Sequence, residues 1–340
     1  MIPRTEAELE ELLSQPNARD VAFLRELEGD LLILGVGGKM GPSLARRARR
    51  AADEAGVAKR VIAVARFSKA GLREELEQAG IETLVADLLE EHQLAALPDV
   101  PNVIFMAARK FGTTGHEYLT WALNCYLPAR VAERFHRSRI VAFSTGNVYP
   151  LVPIAHGGPT ESCPTSPVGE YAQSALARER MFEYFSERYG TQVALLRLNY
   201  AIDLRYGVLL DIGQKVFERR PVNLAMGMVN VIWQGDANSV CLRSLALCQS
   251  PPAVLNLTGP ETLSVRALAL RFGEHFGIEP VFEGAEGQTA LLSNAARCHA
   301  LLGYPEVSVE QMIEWVAHWI RAGGVTWNKP THFEVRDGKF

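Results

Sequence analysis

A doubly wound α/β fold, with a parallel sheet and a smaller C-terminal lobe, is what this sequence predicts, on three observations. Six apolar runs of strand length recur between residues 31 and 198. Helical stretches lie between several of them, and the first run passes directly into a glycine-rich turn. Strands apolar along their whole length belong to a sheet covered on both faces, and parallel pairing requires helical crossovers.

Residues 5–28 read as a helical preface. Thr5 with Glu8 makes a capping-box pattern, Leu9, Leu12 and Leu13 form a helical stripe, and Pro16 separates a second helix ending near Leu27. Nothing in this stretch signals chemistry; packing or dimer contact is its expected use. The strands follow as LLILG (31–35), VIAVAR (61–66), IETLVA (81–86), NVIFMAA (102–108), RIVAFST (139–145) and VALLRL (193–198). PSLARRARRAADEAG and TWALNCYLPARVAERFHR are two of the intervening helices. In the first of these, Arg46, Arg47, Arg49 and Arg50 read as a solvated face without a functional role. Beyond Leu198 the order is less regular. AVLNLTG (253–259) is expected to rejoin the sheet, while SVRALALRFGEHFG and VEQMIEWVAHWIRAG are helical.

Composition bounds the rest. The 340 residues correspond to about two domains, and 48% apolar with 22% charged residues suffices for a full core. Lys and Arg total 35 against 39 Asp and Glu, so no basic field points to nucleic acid or an anionic membrane surface. The five cysteines are scattered and lack CxxC spacing, which predicts free thiols in a reducing cytoplasm and no metal site. No apolar run approaches the roughly 18 residues of a membrane span, and the acidic start is unlike a signal peptide. The expectation is a cytoplasmic enzyme.

The glycine turn carries the first functional signal. Gly35-Val36-Gly37-Gly38-Lys39-Met40-Gly41 lies between the first strand and a helix opened by Pro42. Glycines there permit a tight turn and close backbone approach to a pyrophosphate, whose charge sits on the helix N-terminus. At the end of the second strand, where an acid would hold an adenosine 2′-hydroxyl, stands Arg66, followed by Phe67, Ser68 and Lys69. A guanidinium grips a phosphate bidentately, and Lys39 adds charge, so NADP is favoured over NAD; stacking of Arg66 on adenine is the other use. Three parts are expected: a helical extension over 1–29, a dinucleotide-binding domain over 30–200, and a mainly substrate-binding lobe over 201–340.

Further motifs run along nearly the whole chain from residue 31. Gly35, Gly38 and Gly41 give a GxxGxxG loop, Asp87-Leu88 follows the third strand, and Met106-Ala107-Ala108 follows the fourth, with Lys110 close behind. Asn124 lies on the next helix, and Phe143-Ser144-Thr145-Gly146-Asn147-Val148-Tyr149 closes the fifth strand. Glu161-x-x-Pro164-x-x-Pro167-x-x-x-Tyr171, Arg197-Leu198-Asn199-Tyr200 and Val231-Ile232-Trp233-Gln234-Gly235-Asp236 come later, and LLGYPEVSVEQMIEWVAHWI near the end. This set resembles the extended branch of the short-chain dehydrogenase/reductase superfamily, which includes nucleotide-sugar epimerases and dehydratases. The resemblance implies a Rossmann-like fold and a cofactor held by the glycine loop, Met40, Asp87, Leu88, Ala107, Ala108, Lys110 and Tyr171. It implies catalysis by Thr145, Tyr171 and Asn124, a sugar-related small-molecule substrate, and a homodimer formed through the Asn124 and Tyr171 helices.

One position departs from the pattern. Four residues after Tyr171 the superfamily carries lysine; here stands Ala175. A free phenol titrates near 10, and a cation about 4 Å away at an effective dielectric near 20 is worth roughly 4 kcal/mol, or about three pH units. Candidates to replace it are few. Arg178 returns to the same helix face after seven residues, where a stacked or surface role is expected; Lys110 is expected on phosphates. His116 and His156 read as loop surface residues. Arg109 suits either an anionic substrate or a salt bridge. In the second lobe Arg205, Tyr206, Asn230, Trp233 and Gln234 are polar and aromatic enough for a sugar. Two functions are expected: an NAD(P)-dependent oxidoreductase or epimerase on a sugar, sugar acid or nucleotide sugar, or a cofactor-binding homologue with impaired catalysis, acting as redox sensor or partner subunit.

Overall fold

The computed structural model describes residues 2–110, 112 and 115–338. Among them a seven-stranded parallel sheet comprises β1 (Leu31–Leu34), β2 (Val61–Ala65), β3 (Glu82–Val85), β4 (Asn102–Phe105), β5 (Arg139–Thr145), β6 (Val193–Leu198) and β7 (Ala253–Leu257). Their order is β7-β6-β5-β4-β1-β2-β3. Leu31 therefore faces Val61 on one side and Asn102 on the other, and the winding reverses between β1 and β4. Such a switch point opens a crevice at the carboxyl ends of the strands. β1 and β2 are buried along their whole length, which is why their residues are continuously apolar; β4 is buried too and opens on Asn102, whose Nδ2 donates to Glu28 O and Asp30 O.

The helices are α1 (Glu6–Ser14), α2 (Ala18–Glu26), α3 (Gly41–Glu54), α4 (Leu72–Gln78), α5 (Glu91–Ala95), α6 (Glu117–Trp121), α7 (Leu127–Arg134), α8 (Gly169–Tyr189), α9 (Val208–Phe217), α10 (Gln234–Arg243), α11 (Val265–Phe276), α12 (Ala296–Leu302) and α13 (Val309–Arg321). One sheet face packs on α2, α3 and α10 through Leu24, Leu44, Ala48 and Cys241. The other packs on α7 and α8 through Leu127, Val131 and Phe182. A third core joins α9, α11 and α13 around Phe272, Trp315 and Trp319. None of these helices is long and apolar enough to cross a membrane.

The N-terminal preface is divided between lobes. Leu9 and Leu13 of α1 enter the core of the second lobe, whereas Leu24 of α2 enters that of the sheet. Thr5 caps α1 by accepting from the Glu8 amide at 3.2 Å, but the reciprocal capping box belongs to α2, between Asn17 and Asp20. Asp20 is fully buried and corrects the reading of the arginine run on α3. Arg47 is buried too, its Nη2 2.6 Å from Asp20 Oδ2, with Arg243 Nε 3.3 Å from Oδ1 and Ser239 donating at 2.6 Å. The helix face turned toward α2 is thus an interior face.

Candidate functional site

The glycine loop after β1 is shaped by two close approaches. Gly35 has φ of +88°, and a Cβ there would lie 2.6 Å from the Ala107 amide nitrogen. At Gly41 a Cβ would strike the Val36 carbonyl, so only glycine lets α3 start against the loop. Gly38 differs: its nearest neighbour would be Gly35 O at 3.6 Å, and with Gly37 it lines a cavity of about 1300 Å³. Met40 at the N-cap of α3 makes no side-chain cap bond. The loop therefore offers an anion an open glycine surface and uncapped backbone N–H groups, the arrangement a dinucleotide pyrophosphate needs.

Thr145 ends β5 and Tyr171 stands in the first turn of α8; both line this cavity, where the Thr145 hydroxyl acts on the Tyr171 phenol. Thr145 Oγ1 also accepts from the Asn147 amide at 3.2 Å. Burial pushes the Tyr171 phenol above its ordinary value, against the opposing pull of the Arg178 guanidinium and the Thr145 hydroxyl. Arg178 is the correction here. The expected stacked or surface arginine is 3% exposed and lines the cavity, donating from Nη1 to Phe143 O at 2.6 Å and from Nη2 to Asn124 Oδ1 at 2.9 Å. Ala175 is fully buried in an apolar cluster with Val148 and Tyr149, and does not line the cavity.

Asn124 sits behind the cavity rather than on it. A π-helical turn, Ala122–Tyr126, sets it where its Oδ1 accepts from the Arg109 amide and Arg178, and its Nδ2 donates to Arg109 O and Ser174 Oγ at 2.9 and 3.0 Å. All four of its hydrogen-bonding positions are thus used by protein groups. Beneath it a second buried arginine, Arg197, grips Glu179 with Nε and Nη2 at 3.0 and 2.7 Å and donates to Tyr149 Oη at 2.7 Å.

The opposite side of the cavity comes from the second lobe and from α1. Lys39 reaches across from the glycine loop, donating to Ala201 O at 2.8 Å with its ammonium 4.1 Å above the Tyr206 ring. Burial lowers it to about 7, with Lys110 and Arg205 lowering it further against Asp203 and Asp211. Lys110, also lining the cavity, is lowered by burial to about 8, opposed by Asp211. Arg205 holds Asp203 in a fork at 3.1 and 2.7 Å, and Glu10 of α1 closes on the same Nη2 at 2.7 Å. Glu6 and Glu10 line the cavity, so the preface read as free of chemistry forms part of its boundary. Tyr200 also lines it, at φ of +46°, a left-handed conformation costly for a bulky residue.

The remaining residues singled out in the sequence divide between the cavity and its surroundings. Arg66 is 70% exposed at the end of β2, its Nη1 3.6 Å from Asp87 Oδ2, and neither lines the cavity. Met40 and Ala108 do line it; Leu88 and Ala107 do not. His116 and His156 are exposed, and Arg109 donates to Gly112 O at 2.7 Å. Of the second-lobe residues named from sequence, Arg205 and Tyr206 reach the cavity. Asn230 bonds Glu261 O and the Ser293 amide, Trp233 packs edge-on against Trp315 in the core of the second lobe, and Gln234 donates to Ser43 of α3, all away from the cavity. Glu6, Glu10, Arg46, Arg50, Arg178 and Tyr200 line the cavity without being assigned to the site from sequence, and Arg46 and Arg50 correct the expectation of a solvated face. Arg178 carried a signal in its return to the Tyr171 face, and Tyr200 in the Arg197-Leu198-Asn199-Tyr200 motif.

Residues 31–202 match the family model described as NAD dependent epimerase/dehydratase. No curated protein sequence matches the chain. Solved structures do match over most of its length. The UDP-glucose 4-epimerase of Thermus thermophilus in complex with NAD is 18% identical at a TM-score of 0.69, covering 86% of this chain and 99% of that one. The dTDP-glucose 4,6-dehydratase of Streptomyces venezuelae with NAD bound is 19% identical at 0.72, covering 86% and 97%. The UDP-glucuronic acid 4-epimerase of Bacillus cereus is 15% identical at 0.69, covering 86% and 99%. At these identities the likeness is one of fold.

Proposed function

The chain belongs to the NAD dependent epimerase/dehydratase family, and from that premise we propose that it is an NADP-dependent oxidoreductase or epimerase, with NAD as second cofactor, acting on a sugar, sugar acid or nucleotide sugar. One observation carries the reading. The hydroxyl-bearing side chains of Thr145 and Tyr171 line a single cavity with the open glycine surface of Gly37 and Gly38.

A bound nicotinamide supplies hydride acceptance and return; the other steps belong to the chain. Backbone N–H groups at the start of α3 hold the diphosphate, and Lys39 and Lys110 add charge to that side of the cavity. Thr145 and Tyr171 hydrogen-bond one substrate oxygen. Tyr171 takes its proton as the carbonyl forms and returns it as the carbonyl is reduced. Arg66 supports the NADP preference: it stands exposed where an acid would select NAD, and Lys69 follows in the same loop. A homodimer is part of the proposal, because Tyr118, Trp121 and Tyr126 are exposed together on and beside α6.

A second reading, a cofactor-binding homologue with impaired catalysis, is favoured by Ala175, which puts a buried methyl where the superfamily places a cation. Cofactor binding by calorimetry, followed by NADPH-oxidation and NADP-reduction assays over sugars, sugar acids and nucleotide sugars, separates the two. Turnover with any of these substrates supports the enzyme. Tight cofactor binding without turnover supports the second reading, and absence of cofactor binding removes both.

A further inference from the structure

We infer that Arg178 is the positioning cation of this site, holding from seven residues along α8 the charge that stabilises the ionised form of Tyr171. This deepens the enzyme reading and rests on it for its catalytic meaning, but not for its test. Three observations converge. Ala175 lies in an apolar cluster with Val148 and Tyr149, so the position four residues after Tyr171 supplies no charge. Side chains on a helix lean toward its N-terminus, and the guanidinium of Arg178 reaches back to the cavity that Tyr171 lines, at 3% exposure.

The third observation concerns what pairs with the charge. The buried carboxylate next to it, Glu179, is already held in a fork by Arg197. Arg178 itself donates to neutral oxygens, Phe143 O and Asn124 Oδ1, and its Nε is buried with no hydrogen-bond partner among the described residues. A buried cation without a carboxylate partner is costly unless an anion forms beside it. The phenolate of Tyr171 is the anion the site can form. The Asn124 amide, set by the π-helical turn, holds the guanidinium in place. The other titratable groups acting on Arg178 are Glu179 on its own helix and Cys125 from the π-helical turn facing it.

The test needs neither substrate nor cofactor. In protein labelled with 3-fluorotyrosine, the fluorine resonance lost in Tyr171→Phe identifies Tyr171 and gives its ionisation midpoint. Arg178→Gln is expected to raise that midpoint so that phenolate falls at least about tenfold at a given pH, an effect of the size expected from one nearby cation. Arg178→Lys is expected to recover most of the loss, and a lysine moved to the nearer turn, in Arg178→Gln combined with Ala175→Lys, to recover it as well. A midpoint unchanged in folded Arg178→Gln overturns the inference. Should Arg178→Gln fail to fold, the nitrogen resonance of Arg178 Nε in the unmodified chain decides. It is expected to follow the Tyr171 ionisation and to lose that step in Tyr171→Phe; no such step overturns the inference. If the midpoint shifts as expected while the protein neither binds NADP or NAD nor turns over any substrate, the role of Arg178 stands and the proposed function falls.

Discussion

Lys39 ends on a carbonyl oxygen and an aromatic face, and burial lowers it to about 7. Its charge is present below that value and lost as pH rises through it; Lys110, at about 8, follows. A diphosphate landing on the adjoining glycines is attracted only by the protonated ammonium. Cofactor affinity is therefore expected to fall by about tenfold between pH 6 and pH 9, with a flatter profile in Lys39→Met, read by calorimetric titration at each pH. Tyr171→Phe removes the hydroxyl proposed to move the proton and keeps the ring. It is expected to lower kcat by about 10²–10⁴ while leaving cofactor affinity within a factor of about three. Rapid-kinetic assays with a substrate found in the screen check this. Arg66→Glu reverses the charge at the end of β2. In the same titrations its preference is expected to move from NADP to NAD by about tenfold or more, the worth of one charge-assisted bond.

Among the elements, the two N-terminal helices act separately. α1 lends Leu9 and Leu13 to the second lobe and Glu10 to Arg205, whereas α2 is fastened to α3 and α10 by buried Asp20. Asp20→Ala leaves Arg47 and Arg243 buried without their carboxylate, and is expected to cost about 3–5 kcal/mol in urea unfolding. Substitution at exposed Glu82, paired with Arg60 at the surface, is expected to cost less than about 1 kcal/mol. Both pairs are invisible as such in the sequence, where Arg47 and Arg60 are equally basic residues beside or within regular elements. The π-helical turn is another such element. One extra residue in the turn aims Asn124 at Arg109, Ser174 and Arg178, and no local pattern in ALNCY announces it.

At the scale of the whole molecule, aromatic side chains stand exposed on and beside α6. Tyr118, Trp121 and Tyr126 are 68%, 37% and 53% exposed, and Trp121 Nε1 donates to Glu170 Oε2 at 2.6 Å, joining α6 to the start of α8. Clustered apolar exposure of this kind suits a partner more than solvent. The proposed homodimer is expected to elute at twice the chain mass, and Trp121→Glu with Tyr126→Glu to elute as a monomer, by light scattering coupled to size exclusion.

The sequence by itself determined the parallel sheet, the glycine turn and the absence of a lysine four residues after Tyr171. Each is a local matter: a strand buried on both faces must be apolar residue by residue, and Gly35 and Gly41 answer to backbone a few residues away or on the adjoining strand. Tertiary structure decided what lies far apart in the chain. It put Glu10 against Arg205, sent Lys39 to the Ala201 carbonyl, buried Arg47 on Asp20, and left Asn230, Trp233 and Gln234 away from the cavity. Above all it decided Arg178, which has the same spacing from Tyr171 whether it faces water or the cavity. A charge is defined by what surrounds it, and around Arg178 stand Phe143, Asn124 and the already paired Glu179, supplied by β5, the π-helical turn and α8.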